Sequence, residues 1–546
     1  MPVSRSCSSG IPASTTPSPD PVTPAGSVAE IEQAYRIGLA YEATLSDRDR
    51  RAGAHYTPVD VVEGLVARAL PLADLPERPR CWDPSCGGGA FLVAVAEALW
   101  RRGIDAAEVV DRCVVGVDLD PGAVAASRRA LTAWAEVRGA TDVSPTVIEG
   151  DGLEMDLGRF DLVIGNPPFR NQLGSATARD EETARRRRDR FGDAALGYVD
   201  DAVLFLLEAA RSLRQGGVAC LVQPRSTLSV QHAAVARAEV QADGRHLVAA
   251  WLPGVQVFDA VVEVWAPFVR SGGQPADVMV FGGRTAELDG ARSHPVVGGD
   301  WSPIAATADG VPELGDLRLD GGVADRAVAT AGFRDEYYAL LAHTVDEEPD
   351  SCGMRLVTTG MIDPGVCRWG EAPARFGKRA WDHPWLDVAA LEVADPRIAR
   401  WVERLAVPKV LVASQTRVVE AVADPVGDLV PVTPTIAVVP ADSGDLGLLV
   451  AALVSPPVAA LLRRRRAGSG MSATTVRVTA KDLLDVPLPA DRVRWAAAAA
   501  ALSRGATWAE HGSAMCSAYG ADDPAVLAWW LDALPKRARR PAPVSD

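Results

Sequence analysis

Lysine is almost absent from this chain. Only Lys378, Lys409, Lys481 and Lys536 occur among 546 residues, and none follows a strand-borne Asp in the Glu-x-Lys arrangement of a nuclease centre. A fused DNA-cutting domain is therefore not expected. The net charge is −15 and the pI near 5.1, which argues against a surface coated in nucleic-acid-binding charge. Local basic patches stay open, because contact depends on local potential rather than on the sum. Cysteine is also thin, and positions 7, 81, 86, 113, 220, 352, 367 and 516 contain no C-x-x-C pair. His511 and Cys516 have a zinc-like spacing without a second ligand pair near them, so reduced thiols and no metal are expected. No run of about 18 uncharged apolar residues is present, so no membrane-spanning helix is expected. Residues 1–28 are rich in Ser, Pro, Thr and Gly, with Pro17, Pro19, Pro21 and Pro24 close together. They read as disordered and lack the apolar core of a signal peptide. The expected location is cytoplasmic, with no membrane partner.

What is present is an ordinary globular balance, 48% hydrophobic and 23% charged, over a length that suits two or three domains. In residues 29–50, Ile31, Ala34, Tyr35 and Leu39 fall at helical spacing. Further on, Thr57 reads as an N-cap, Pro58 as the first helical residue, and Asp60 completes a capping box. Residues Cys81 to Phe91 then run from a strand end through Gly87, Gly88 and Gly89 into an apolar helix. Three glycines let backbone approach a ligand closely. The loop lacks the Gly-Lys-Ser/Thr ending of a phosphate cradle, and Asp83 before the glycines favours a cationic or amino group instead.

A second strand, Val114 to Val117, ends in Asp118, where an acid can accept hydrogen bonds from ribose hydroxyls. A third, Thr146 to Ile148, ends in Glu149-Gly150-Asp151-Gly152. In the fourth, Leu162, Val163 and Ile164 stop at Gly165, and Pro167-Pro168 forbids both helix and ladder pairing. That turn presents the Asn166 amide and the Phe169 ring, a pair suited to a flat group bearing an exocyclic amine. Four strands ending in Asp or Asn predict a doubly wound parallel sheet whose strand ends converge on one ligand groove.

The order of these stretches resembles the gamma class of S-adenosylmethionine-dependent N6-adenine DNA methyltransferases of restriction-modification systems. His55-Tyr56-Thr57-Pro58 is similar to the first cofactor motif of that family. Asp83-Pro84-Ser85-Cys86-Gly87-Gly88-Gly89-Ala90-Phe91 is similar to its cofactor loop, with Gly88 standing where Ser or Thr is more usual. The resemblance implies a Rossmann-like class I methyltransferase fold with S-adenosylmethionine as cofactor. It assigns Asp118, with Leu119, to the cofactor's ribose side and Asp151, with Gly152, to its adenine. It makes Asn166, Pro167, Pro168 and Phe169 the catalytic motif, Asn166 also lying against the cofactor. Phe169 and Phe258 are then the candidates for stacking on a base flipped out of the duplex.

The methyltransferase domain is expected over 29–285 and a connector over 286–335. A mixed α/β target-recognition-like domain is expected over 336–492, and terminal helices with a frayed tail over 493–546. Residues 170–195 read as a polar, aperiodic loop beside the site. Within it Arg185, Arg186, Arg187, Arg188 and Arg190 are candidates for DNA-backbone contact, as are Arg463 and Arg464 later on. Double-stranded DNA is the expected partner, together with a separately encoded nuclease or other defence component. Two alternatives share the motif set. An RNA or protein-glutamine methyltransferase would use the same Asn-Pro-Pro-Phe turn, and a catalytically inactive subunit would only read DNA.

Overall fold

The computed structural model of the chain describes residues 27–44, 57–169, 180–258, 262–286, 288–293, 296, 298–332, 334–350, 352–467, 469 and 475–538. Its first half is built on β1 (Cys81–Asp83), β2 (Val114–Asp118), β3 (Thr146–Glu149), β4 (Phe160–Gly165) and β5 (Leu213–Leu221). These are joined by β6 (Arg245–Trp251), β7 (Val264–Ser271), β8 (Val278–Gly282) and β9 (Leu288–Ser293). The spatial order is β9-β8-β6-β7-β5-β4-β1-β2-β3. Strands β1 to β5 are parallel. Strand β7 lies antiparallel between β5 and β6. The doubly wound, mostly parallel sheet expected from the strand ends is therefore present.

Every residue of β4 is buried. The reason is visible in its alternation: Leu162 and Ile164 pack into one apolar cluster and Val163 into another on the opposite face. The first cluster is covered by α1 (Ser27–Glu42), α2 (Val59–Ala69), α3 (Ala90–Arg101) and α4 (Pro121–Val137). The second is covered by α5 (Glu181–Phe191) and α6 (Asp201–Arg211). Strand order reverses between β1 and β4, and in such sheets the crevice at the carboxyl ends of the two switch strands binds ligand.

Two local expectations are corrected. Helix α2 starts at Val59 with Pro58 as its N-cap and no side-chain cap, so Thr57 does not form the expected capping box. Residues 181–191 are a helix rather than part of an aperiodic loop. Its buried face is made by Arg187 and Phe191, one turn apart, so the apolar repeat that normally announces a helix is missing. Asp180 caps it by accepting from the Thr183 N–H at 2.7 Å.

The stretch expected to connect the halves takes part in both. Residues 288–293 add the edge strand β9, and Trp301 and Ile304 pack into the second cluster. Residues Ala327–Ala331 pair with Ile436–Pro440 in a four-stranded antiparallel sheet of the second half. A second four-stranded sheet contains Gly353–Val357, paired antiparallel to Trp385–Asp387 and parallel to Leu429–Pro431. Helices Pro456–Arg466, Arg492–Ser503, Trp508–Tyr519 and Pro524–Ala533 complete this mixed α/β half. Among the described residues no single helix is long and apolar enough to cross a membrane, and no group of His, Cys, Asp or Glu could hold a metal ion. The seven described cysteines are free.

Candidate active site

Four strand ends and two helices meet in the crevice between β1 and β4. At the end of β1, Asp83 is 1% exposed and its Oδ1 accepts from the Ser85 N–H at 3.1 Å. Burial pushes this carboxyl up to about 8, opposed by the Ser85 hydrogen bond and reinforced by nearby Asp118. Cys86 is buried, and burial raises its thiol well above the ordinary range.

The glycine loop is occupied by its own neighbours. The Cys86 N–H donates to the Val117 carbonyl at 2.9 Å, the Gly87 N–H to Asp118 Oδ2 at 2.9 Å, and the Gly89 N–H to the Cys86 carbonyl at 2.8 Å. Gly87 and Gly89 have φ of 49° and 86°, the left-handed region where a Cβ is unwelcome. Such a loop does not offer an anion free N–H groups, and it is flanked by carboxylates. That disfavours a phosphate and suits a cationic or amino group.

The loop's departure from the family pattern has a steric cause. A Cβ on Gly88 would lie 2.7 Å from the Cα of Gly38 in α1, and a Cβ on Gly38 would lie 2.5 Å from the Gly88 carbonyl oxygen. Helix α1 rests backbone to backbone on the loop, so neither position has room for a side chain.

At the end of β2, Asp118 Oδ1 accepts from the Asp120 N–H at 2.9 Å, and burial raises the Asp118 carboxyl. Leu119 beside it is 56% exposed. Asp120 Oδ2 accepts from the Tyr41 hydroxyl at 2.6 Å. Beyond β3, Asp151 Oδ1 accepts from the Leu153 N–H at 2.9 Å, and its other oxygen pairs with Arg187. Gly152 is pressed against the Pro84 carbonyl, which ties this turn to the β1 loop.

At the end of β4, Gly165 lies against the Asp83 carboxylate, with no space for a Cβ between them. Next to it, Asn166 Nδ2 donates to Thr57 Oγ1 at 2.9 Å, a bond spanning 109 residues. Thr57 is 7% exposed, and its hydroxyl serves the amide rather than the helix start. Pro167 is buried, while Pro168 and the Phe169 ring are half-buried, the ring packing at the edge of the α1-side cluster. Thr57, Asp83, Pro84, Gly87, Asp118, Gly152 and Asn166 are thus linked by direct contacts. Tyr56, with His55, lies outside the described residues.

Several predicted residues are placed elsewhere than expected. Phe258 is 5% exposed and sits in the α1-side apolar cluster, as a core phenylalanine does. Arg187 is 4% exposed and forms ion pairs with Asp151 and Glu154, which removes it from any DNA backbone. Arg186 pairs with Glu154 and Glu182, and Arg190 with Glu208. Arg463 is buried against Asp309, and Arg464 reaches Glu313 at 3.4 Å and the Val311 carbonyl at 3.0 Å. Of the arginines expected to touch DNA, Arg185 and Arg188 are exposed and have no ion pair among the described residues. The reading from sequence missed Gly38, Tyr41 and Glu42, which bring α1 onto the loop. Helical spacing had marked α1 only as a core-facing element.

Residues 32–240 match the model of the N-6 DNA methylase family. A type II methyltransferase of Thermus thermophilus is 27% identical over 191 residues, 34% of this chain and 39% of that protein. The methylase subunit of the type I restriction enzyme MjaIX of Methanocaldococcus jannaschii is 35% identical over 107 residues, 19% of this chain and 18% of the subunit. The chain therefore spans less than half the length of these relatives. The type IIL restriction-modification enzyme MmeI, solved in complex with DNA, aligns with a TM-score of 0.55 at 13% identity. That alignment covers 93% of this chain and 78% of MmeI, so the likeness in fold extends through both halves.

Proposed function

From the match of residues 32–240 to the N-6 DNA methylase family model, we propose that the chain methylates the N6 amine of adenine in double-stranded DNA, with S-adenosylmethionine as methyl donor. The observation that carries the reading is the Asn166 amide, pinned by Thr57 on a Pro167-Pro168 turn that abuts the Asp83 carboxylate. S-adenosylmethionine supplies a methyl group already activated on a sulfonium, so the difficulty lies with the nucleophile. The lone pair of an aromatic amine is delocalised into its ring. Acceptors aimed at its N–H bonds draw density back to nitrogen, and they act best when preorganised. With its NH2 end donating to Thr57, Asn166 turns its carbonyl end to accept from the amine, and the Pro167 carbonyl is the second acceptor. Phe169 holds the face of the flipped base. Asp118 and Asp151 orient the cofactor, and the acid-flanked loop accepts its positive charge.

The setting we propose is restriction-modification, to which the relatives' names belong, with a separately encoded nuclease or defence component as partner. The experiment incubates the purified chain with labelled S-adenosylmethionine and, separately, DNA, RNA and protein, and digests each product for mass spectrometry. N6-methyladenine in DNA is expected. Asn166→Ala should abolish transfer while cofactor binding persists. Label found only on RNA or on protein glutamine would overturn the proposal, as would transfer surviving in Asn166→Ala.

A further inference from the structure

We propose that Glu42 is a cofactor ligand, its carboxylate receiving the α-ammonium group of S-adenosylmethionine at the glycine loop. The inference rests on the methylase reading above and adds a residue from outside every motif so far named. Glu42 is the last residue of α1, one helical turn beyond Gly38. The Gly38–Gly88 backbone contact fixes the register of α1 on the loop and so carries Glu42 over it. Glu42 Oε1 lies 3.7 Å from the point where a Cβ of Gly87 would stand. Its Oε2 is buried and has no hydrogen-bond partner.

A buried carboxylate oxygen without a partner is costly, and the cost ends when a donor arrives. None of the described residues supplies one. Among the described residues the Gly88 backbone N–H is the one group that stabilises the charged form, and no basic side chain contributes. The neighbours are themselves acceptors or already committed. Asp83 and Asp118 are carboxylates at the same loop, and the Tyr41 hydroxyl is spent on Asp120. The cavity between α1 and the loop is about 10 Å³, room for no more than a water, so the missing donor approaches from the crevice. A ligand with a compact three-donor cation matches an orphaned oxygen among carboxylates. The amino-acid end of S-adenosylmethionine has that cation, and its adenosine end does not.

This asymmetry sets the test. Binding of S-adenosylmethionine, S-adenosylhomocysteine and 5′-methylthioadenosine is measured by calorimetry for the full chain and for Glu42→Gln. The third ligand lacks the amino-acid end. Loss of one charge-assisted hydrogen bond predicts about a tenfold to hundredfold drop in affinity for the first two ligands. Affinity for 5′-methylthioadenosine should be unchanged, which also shows that the loop is intact. Affinities in the variant unchanged from wild type for all three ligands would overturn the inference and leave Oε2 to a water. An equal drop for all three would overturn it as well, making Glu42 a support of the loop. A wild-type chain that binds none of the ligands would instead refute the methylase reading itself.

Discussion

Replacing Thr57 with Val tests whether the Asn166 amide, proposed above to receive the amine, is aimed by its neighbour. The two side chains are nearly the same shape, so packing at this 7% exposed position is kept while the hydroxyl goes. The usual objection, that a Thr ahead of a helix caps it, does not apply, because α2 starts without a side-chain cap. What is lost is the 2.9 Å bond from Asn166 Nδ2. Losing a hydrogen bond of this kind at a largely buried site costs about 1–3 kcal/mol. For a domain of this size each kcal/mol lowers the melting temperature by about 2–4 °C. The larger effect is on chemistry. Without the Thr57 acceptor the aim of the Asn166 carbonyl loosens, which should lower kcat by about tenfold to a hundredfold, equivalent to about 1.4–2.8 kcal/mol of barrier. Methyl transfer to DNA under saturating cofactor reads kcat, and calorimetry reads cofactor binding separately. Thr57→Ser retains the hydroxyl and should recover most of the rate. A wild-type kcat in Thr57→Val would refute the reasoning. So would a Thr57→Ser variant as slow as Thr57→Val.

Three further outcomes follow from the charges around the site. Arg187→Met should destabilise the chain by about 1–3 kcal/mol, below the full cost of breaking a buried pair because Glu154 is partly exposed. It should also weaken S-adenosylmethionine binding through Asp151, yet leave the salt dependence of DNA binding unchanged. Arg185→Gln and Arg188→Gln should each reduce that salt slope by about 1 if they contact phosphate, and unchanged slopes would remove both from the interface. Acidification should weaken cofactor binding, because burial pushes the Glu42 carboxyl up to about 7 and Asp83 up to about 8, and protonation removes the charges that attract a cation. The sign for stability is the reverse. Both pKa values are raised in the folded chain, so folding binds protons, and their contribution to the unliganded chain's stability falls as pH rises from about 4 to about 8. Calorimetric affinities and melting temperatures across that range check both directions, and a cofactor affinity flat from about pH 6 to about pH 8.5 would contradict the first.

The chain's own sequence determined the strands, the turns at their ends and the kind of ligand they suit. Those features are local. An apolar run bounded by glycine and proline declares a buried strand, and Asp83, Asp118, Asp151 and Asn166 at successive strand ends declare a groove because a parallel sheet aligns those ends. The absence of a phosphate-cradle ending was likewise readable, and the loop's committed N–H groups agree with it. Only the tertiary structure decided which partner each polar group takes. Thr57 could cap its own helix or meet an amide 109 residues away, and the tertiary fold chose the second. Arg187 sits in a run of like charges that looks solvent-bound, until α5 folds back on Asp151, 36 positions earlier. The glycine that departs from the family pattern became explicable once α1 lay on it, since Gly38 and Gly88 are 50 residues apart in the chain and touch in space. Conformational preference is a property of a residue and its nearest neighbours, and so it is written along the chain. The partner of a buried charge is a property of the whole packing, and so it is not.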